Sequence, residues 1–272
     1  MESPLLKSNP GLKSALSDFE QRYGSQARSV FKLGGTGNSS FRVEFEHESV
    51  VLRLNANTAH LGVDRQQEKT IIEALQGTGI TPMLRHWQPE YLVMDLIEAQ
   101  TASVEAIART LKHLHSLPVP NSLITSPPWT PLDTIRDYLQ LCQTPMPRTQ
   151  ALAQQLTTAL WTHSPYVVCH IDLNPTNILG QSDGDAILID WEYARCGPAE
   201  YDLAVVIETH QFSPEVTDKF LAHYDNQRLS AQVSTNQFAY RIIELLWLHL
   251  TSPVDWPSTR IEAITADMQI PA

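Results

Sequence analysis

Cysteine is scarce in this chain of 272 residues, which contains only Cys142, Cys169 and Cys196. No two of these cysteines form a Cys-x-x-Cys pair. The sequence therefore argues against a disulfide framework and a structural zinc site, and it fits a reducing compartment. Cys169 ends a short apolar stretch, so we expect it to be a buried core thiol.

Positive charge is also in deficit, because 19 lysines and arginines face 30 aspartates and glutamates, for a net charge of −11. Binding nucleic acid through its phosphates requires a basic surface, so we expect no nucleic-acid partner. The charge is compatible with a cationic small molecule, although an acidic surface often serves solubility alone.

Long hydrophobic runs are missing as well. The most apolar run, Ile242 to Leu250, is too short to cross a bilayer. The first residues, Met1 to Lys7, lack the basic segment and apolar core of a signal peptide. We therefore expect a cytoplasmic protein with no membrane partner, and the sequence leaves its oligomeric state open.

The middle of the chain carries two acidic residues and one amide beside short apolar segments. Asp172 and Asn177 are five residues apart, and Asp190 follows thirteen residues after Asn177. The apolar residues after Asn177 and before Asp190 predict two short strands, and the turn residues 180–184 predict that they form a hairpin. Asn177 and Asp190 would then stand at its two ends, with Asp172 on a loop close by.

These side chains suit phosphoryl transfer, which depends on positioning and on neutralising phosphate charge. Asp172 is placed to accept the proton of an acceptor hydroxyl. Mg²⁺ prefers hard oxygen ligands, which Asn177 and Asp190 would supply. We interpret His170 as a structural hydrogen-bonding residue of the loop rather than as a base.

The pattern His170-x-Asp172-x₄-Asn177, followed by Ile189-Asp-Trp-Glu192, resembles the aminoglycoside phosphotransferase and choline kinase superfamily. Members of this superfamily are small-molecule relatives of the protein kinases. Ile189-Asp-Trp-Glu-Tyr-Ala and Tyr201-Asp-Leu-Ala resemble most closely its choline, ethanolamine and bacterial thiamine kinase branch.

The resemblance implies an α+β, bilobal, protein-kinase-like fold. A small β-rich lobe, residues 1–97, would bind the nucleotide, and a larger, mainly helical lobe, residues 98–272, would hold the catalytic and acceptor sites. ATP and Mg²⁺ are implied as cofactors. The implied reaction moves the γ-phosphate of ATP to the hydroxyl of a small molecule, with thiamine or a choline-like compound favoured over an aminoglycoside.

The N-terminal part shows a strand, a glycine-rich turn and a second strand, which is either a phosphate-binding loop or a plain hairpin turn. Arg53 stands inside an apolar strand and needs an anionic partner if it is buried; an edge position facing water is the alternative. Glu68 is the favoured partner, Glu73 competes, and surface pairing of Glu68 with Arg65 is the simpler alternative. The resemblance implies these nucleotide-binding residues, the last two at the hinge between lobes: Gly35, Thr36, Gly37, Asn38, Ser39, Arg53, Glu68, Met94 and Leu96.

Aromatic residues are candidates for holding a cationic acceptor through cation–π contacts. We consider Trp191, Tyr193, Trp247 and Trp256 for this role, and simple packing is the alternative for each. Glu192 would line the acceptor site, assist the metal or serve a structural role. Asp202 would open a helix and brace the catalytic loop.

Hydrophobic spacing predicts helices over 12–23, 61–75, 104–114, 131–142, 150–161, 202–208 and 238–250. Residues 191–198 show no helical or strand pattern, and this segment is too short for the peptide platform of a protein kinase. Two other function classes stay open at this point. One is a non-catalytic kinase-like nucleotide-binding module, and the other is a metal-dependent hydrolase built on His170 and Asp172, which would need more ligand histidines.

Overall fold

A computed structural model describes residues 4–34, 38–124, 128–161, 166–182, 184–224, 230–251 and 265. Its N-terminal part is a five-stranded antiparallel sheet in the order β1-β2-β3-β5-β4. The strands are β1 (Ser29–Lys32), β2 (Ser39–Glu44), β3 (Ser49–Leu54), β4 (Leu84–Trp87) and β5 (Tyr91–Asp95).

Helices cover both faces of this sheet. They are α1 (Pro4–Ser8), α2 (Pro10–Tyr23) and α3 (Arg65–Ala74). The apolar side of α2 packs in one cluster with Val93, whereas α3 packs in another with Leu92. Neighbouring residues of a strand point to opposite faces, so β5 is buried on both sides. The predicted helix 61–75 begins late because Asp64 caps it, accepting hydrogen bonds from two backbone N–H groups of the first turn.

The C-terminal part is mainly helical. Its helices are α4 (Val104–Ser116), α5 (Pro131–Leu141), α6 (Pro147–Ala153), α7 (Ala199–Thr209), α8 (Pro214–Tyr224) and α9 (Ser230–Thr251). Helix α9 packs against both α5 and α7. The single helix predicted over 150–161 is wrong. There the chain forms α6 and a separate 3-10 turn (Thr158–Trp161), which places Leu156 and Trp161 in the same buried cluster as α9.

Short strands connect the helices of the C-terminal part. They are β6 (Gln100–Thr101), β7 (Tyr166–Cys169), β8 (Ile178–Gly180), β9 (Ala186–Leu188) and β10 (Arg195–Pro198). Strands β8 and β9 form the predicted hairpin, in which Ile178 pairs with Leu188. The expectation of no regular structure over 191–198 is wrong, because a 3-10 turn (Trp191–Tyr193) is followed by β10, which pairs with β7.

Pairing with β7, and not any periodicity of its own, makes β10 a strand. Gly197 is required there, since a Cβ atom at this position would lie 2.7 Å from the ring of Trp129. With a sheet-rich N-terminal part and a helical C-terminal part, the predicted α+β, two-part architecture is confirmed. Among the described residues, none of the helices combines the length and the apolar character that crossing a membrane would need.

Candidate active site

The loop between β7 and β8 holds Asp172 by two neighbouring amides. Its Oδ1 accepts a hydrogen bond from Asn174 Nδ2 at 3.1 Å, and its Oδ2 accepts one from Asn177 Nδ2 at 3.0 Å. Burial raises the pKa of the Asp172 carboxyl above its ordinary value, while His170 and the two amides oppose the rise. The carboxylate is thus fixed in direction and is made a stronger proton acceptor than a solvated aspartate.

The β8–β9 hairpin brings Asn177 and Asp190 side by side, as the sequence predicts. Ile189, which precedes Asp190, donates its backbone N–H to the carbonyl oxygen of Asn177 at 3.0 Å. Asp190 itself adopts a left-handed conformation with φ of 65°, which is uncommon for a residue other than glycine. This turn projects the Asp190 side chain toward the N-terminal part, where it meets Arg53.

His170 has the structural role that the sequence predicts. Its Nε2 lies 2.9 Å from the carbonyl oxygen of Ile189, and its Nδ1 accepts a 3.3 Å hydrogen bond from the backbone N–H of Asp172. Because a carbonyl can only accept, Nε2 carries the proton. The imidazole therefore ties the loop between β7 and β8 to the end of β9.

Asp202 braces the same loop from helix α7. Its two carboxylate oxygens accept the backbone N–H groups of His170 and Ile171, each at 2.8 Å. Asp202 is completely buried. Among the described residues, the backbone N–H groups that donate to its carboxylate belong to this loop. The bracing role assigned to Asp202 is therefore what the geometry shows.

His115, on α4, is a supporting residue that the sequence did not single out. Its Nε2 lies 3.1 Å from Asp202 Oδ2, and its Nδ1 lies 2.8 Å from the Tyr224 hydroxyl. His115, Cys169 and Asp202 come close enough to hold a metal. However, Asp202 already accepts three hydrogen bonds, and burial raises the pKa of the Cys169 thiol well above its ordinary value. This group is a hydrogen-bonded support, and it gives the hydrolase alternative no metal centre.

Arg53 is buried and paired, so the water-facing alternative is wrong. Its Nη2 donates to Glu68 Oε1, and its Nη1 donates to Asp190 Oδ1 at 2.6 Å. Burial opposes the charge, but Glu68, Asp190 and Glu192 together raise the pKa of the guanidinium. Glu73 pairs instead with Lys69 at 3.1 Å, which decides the choice of partner in favour of Glu68.

Arg65 is a second arginine of the site and is half-buried, whereas the sequence suggested only a surface pair for it. Its Nη1 lies 2.9 Å from Glu68 Oε2 and 2.9 Å from Glu192 Oε2. Burial and the neighbouring Asp190 raise the pKa of Glu192, and both arginines and Asn38 oppose this rise. The spacing of three residues between Arg65 and Glu68 predicted their ion pair. It could not reveal that Arg65 also contacts Glu192, which is distant in the sequence.

The residues at the junction of the two parts fit a divalent cation. Both hydrogen bonds of the Asn177 amide nitrogen go to Asp172, so its side-chain oxygen is the atom left to meet a cation. Two guanidinium groups, of Arg53 and Arg65, face three carboxylates, of Glu68, Asp190 and Glu192. The cluster therefore carries one excess negative charge, and its donor atoms are hard oxygens of the kind Mg²⁺ prefers.

The predicted nucleotide loop is only partly described. Gly35, Thr36 and Gly37 lie outside the described residues. Asn38 is buried, and its Nδ2 donates to Asp190 Oδ1 at 3.2 Å. Ser39 opens β2 and is half-buried.

The two predicted hinge residues differ in their backbone surroundings. Met94 lies inside β5, where it pairs with Val51 on one side and Leu84 on the other. Leu96 follows the end of β5. Unlike that of Met94, its backbone is therefore not paired with a neighbouring strand.

The aromatic candidates separate into two groups. Trp191 is completely buried, and its indole Nε1 donates to Thr81 Oγ1 and to the Leu188 carbonyl, each at 3.1 Å. The prediction that Trp191 faces the acceptor is therefore wrong, because its ring is buried in the core and its N–H is used in hydrogen bonds within the protein. Tyr193 and Trp247 are half-buried, and Trp247 Nε1 donates to the Tyr193 hydroxyl at 3.2 Å. Trp256 lies outside the described residues.

Two further tyrosines lie on helices of the C-terminal part. Burial raises the pKa of Tyr138, on α5, to about 12, and among its charged neighbours are Asp172 and Glu192. Burial likewise raises the pKa of Tyr240, on α9, with Glu244 and Asp172 adding to the rise. Tyr138 is almost completely buried and donates its hydroxyl to the carbonyl oxygen of Leu61 at 3.1 Å, so it is a packing residue, as Trp191 is.

Comparison with known proteins places this chain in a family. The profile of the phosphotransferase enzyme family matches residues 31–241. Human ethanolamine kinase 1 is 27% identical in an alignment 188 residues long, which covers 57% of this chain and 40% of that protein. The matched region thus spans less than half the length of this curated relative.

The solved structures include choline kinase LicA from Streptococcus pneumoniae, with a TM-score of 0.77 and 20% identity over 95% of this chain and 98% of that one. A structure of LicA in complex with AMP has a TM-score of 0.74 and 19% identity over 93% of this chain and 96% of that one. At these identities the structural similarity shows the protein-kinase-like fold.

Proposed function

The chain belongs to the phosphotransferase enzyme family, and we propose that it transfers the γ-phosphate of ATP to a hydroxyl group of a small molecule. The proposed acceptor is an organic cation of the thiamine or choline type. Residues 1–97 would form the nucleotide lobe and 98–272 the catalytic lobe, a division supported by the end of β5 at Asp95 and by the pairing of β6 with β8 in the C-terminal part.

One observation carries the proposal: Asp172, Asn177 and Asp190 meet in front of Arg53. Asn177 contacts Asp172 through its side chain and the Asp190 segment through its backbone, and Arg53 reaches Asp190 from the sheet. A proton acceptor, two oxygen ligands and a buried cation thus converge from three separate parts of the sequence: β3, the loop between β7 and β8, and the segment after β9. This is the arrangement that in-line phosphoryl transfer requires.

In the proposed reaction, an oxygen–phosphorus bond forms at the acceptor hydroxyl and the bond between the γ-phosphorus and the β–γ bridging oxygen breaks. Asp172 accepts the hydroxyl proton on its carboxylate, and ADP leaves with the bridging oxygen. Asn174 and Asn177 keep the Asp172 carboxylate directed, because each donates to one of its oxygens. Arg53 binds phosphate oxygens, and Glu68 holds the Arg53 guanidinium in place.

Asn177 and Asp190 would hold Mg²⁺, which when bound neutralises phosphate charge. The LicA complex with AMP supports nucleotide binding in this fold. The hinge after β5, at Leu96, is where backbone groups would meet the base.

Three features support a cationic acceptor. The net charge is −11; the half-buried Tyr193 follows Asp190 by three residues; and the half-buried Trp247 donates a hydrogen bond to the Tyr193 hydroxyl. An aromatic pair formed by the segment after Asp190 and by α9 suits a quaternary or ring cation, which aromatic faces attract.

The test is ADP release by the purified protein with Mg²⁺ and ATP. Thiamine, choline, ethanolamine, a sugar amine and an aminoglycoside would be compared, with Asp172→Asn as the control. We expect thiamine or a choline-like acceptor to stimulate ADP release by the wild-type protein but not by the Asp172→Asn variant. Turnover of the aminoglycoside alone would overturn the acceptor class, and nucleotide binding without turnover of any acceptor would favour the non-catalytic module.

A further inference from the structure

Arg65, in the first turn of α3, gathers contacts from three other segments of the chain. Its side chain is 15% exposed. Besides Glu68 and Glu192, it reaches Asn38 Oδ1 at 3.1 Å and the carbonyl oxygen of Ala56 at 3.0 Å, both through Nη2. One guanidinium thus joins α3, the residue before β2, the loop after β3 and the segment after β9.

Arg65 and Arg53 both bind the Glu68 carboxylate, each at a different oxygen. Arg53 takes Glu68 Oε1 and Arg65 takes Glu68 Oε2. Beyond Glu68 the two arginines diverge, since Arg53 contacts Asp190 and Arg65 contacts Glu192. The completely buried Trp191 separates those two acids along the chain and fixes their segment in the core.

This division gives the two arginines different relations to a cation at Asp190. The contact of Arg53 Nη1 with Asp190 Oδ1 uses an oxygen that a metal ion would also seek. Arg65 does not contact Asp190 directly. It holds the neighbours of Asp190 instead, because Asn38 accepts from Arg65 through Oδ1 and donates to Asp190 Oδ1 through Nδ2.

We propose that Arg65 is a positioning residue of the metal–nucleotide site. It fixes Glu192 and Asn38, and through them Asp190, so that the site keeps its geometry when Arg53 exchanges Asp190 for the phosphates. The proposal rests on the proposed function in that Arg53 binds phosphate and Asp190 binds Mg²⁺. It does not depend on the identity of the acceptor.

The sharpest variant is Arg65→Lys, because it keeps the charge and removes the planar fork. A single ammonium group cannot reach the carboxylates of Glu68 and Glu192 together with Asn38 and Ala56. Binding of ADP would be measured by titration calorimetry, with Mg²⁺ and with EDTA. We expect Arg65→Lys to weaken ADP binding about tenfold or more with Mg²⁺ and less than about threefold with EDTA.

Two further variants make the result specific. Glu192→Gln removes the partner from the other side, and its effect combined with Arg65→Lys should fall short of the product of the two, because both break one contact. Arg28→Lys is the matched control, since Arg28 forms an exposed pair with Glu46 next to the ends of β1 and β2. It should bind ADP as the wild-type protein does under both conditions.

Each other outcome has a distinct meaning. Equal weakening of Arg65→Lys with Mg²⁺ and with EDTA would show a merely structural role, and unchanged binding would also overturn the proposal. Full additivity with Glu192→Gln would separate the two residues and overturn it as well. If the wild-type protein binds no ADP, the proposed function fails first and this inference fails with it.

Discussion

The carboxylate of Asp202 holds Ile171 in a left-handed backbone conformation. Ile171 has φ of 75°, and its N–H donates to Asp202 Oδ1 at 2.8 Å. A β-branched residue is rarely found in this region, and such strain persists only when the surroundings enforce it. The strained residue lies directly before Asp172, so the direction of the Asp172 carboxylate depends on a helix thirty residues further along the chain.

Asp202→Asn should therefore destabilise the protein and disturb the loop. One oxygen acceptor becomes a donor that faces a backbone N–H, and a buried charge-assisted bond is lost. We expect a loss of about 2–4 kcal/mol in the free energy of unfolding, measured by urea denaturation. Glu215→Gln, at an exposed position of α8, is the control, and a loss no larger than in this control would contradict the bracing role.

Asp172→Asn should abolish most turnover and leave nucleotide binding intact. The amide keeps the shape of the carboxylate but cannot accept the hydroxyl proton. A loss of about 10²–10⁴-fold in kcat is expected, with the Kd for ADP changed by less than about threefold. Full activity in this variant would disprove the assignment of Asp172 as the base.

Arg53→Lys should weaken nucleotide binding by about tenfold or more, since an ammonium group cannot reach Glu68 and Asp190 as the guanidinium fork does. Titration calorimetry with ADP would measure the change. Arg22→Lys is the control, because Arg22 forms an exposed helical pair with Asp18, which is worth little. Equal ADP affinity in the two variants would remove Arg53 from the nucleotide site.

Replacement by phenylalanine should affect mainly stability at Trp191 and mainly the KM for the acceptor at Trp247. Trp191→Phe removes a completely buried indole N–H with two acceptors, so we expect a loss of about 2–4 kcal/mol in unfolding free energy. Trp247→Phe should cost less stability and raise the KM for a cationic acceptor several-fold, because the larger indole face binds cations better. An unchanged KM for Trp247→Phe would place Trp247 outside the acceptor site.

His210, at the end of α7, should contribute to the pH dependence of stability. Burial lowers its pKa below the ordinary 6.5, so the unfolded chain binds this proton more readily than the folded one. The free energy of unfolding should then fall as the pH drops below about 6.5 and level off below the folded pKa. His210→Gln should lose less stability between pH 7.5 and 5.5 than the wild-type protein in urea denaturation, and an equal loss would contradict this.

Local patterns in the sequence were sufficient for the elements that carry their own signals. The turn residues between two apolar segments predicted the β8–β9 hairpin, which placed Asn177 and Asp190 together. The cost of burying an unpaired charge predicted that Arg53 needs a carboxylate, and the structure supplies Glu68.

Predictions failed where packing overrides local pattern. The helix expected over 150–161 breaks, so that Leu156 and Trp161 reach one cluster. Strand β10 exists only because β7 lies beside it. Trp191 was placed at the acceptor site from composition, although the core surrounds it completely.

The sequence by itself determined which residues are candidates for the proposed chemistry, because a base, metal ligands and a phosphate-binding arginine must be of particular residue types. Only the tertiary structure decided which residues support them. His115 reaches Asp202 across 87 positions, and Arg65 reaches Glu192 across 127. Such contacts join parts of the chain that share no periodicity, and the physical reason they form is that buried charges must find partners wherever the packing of the core brings them together.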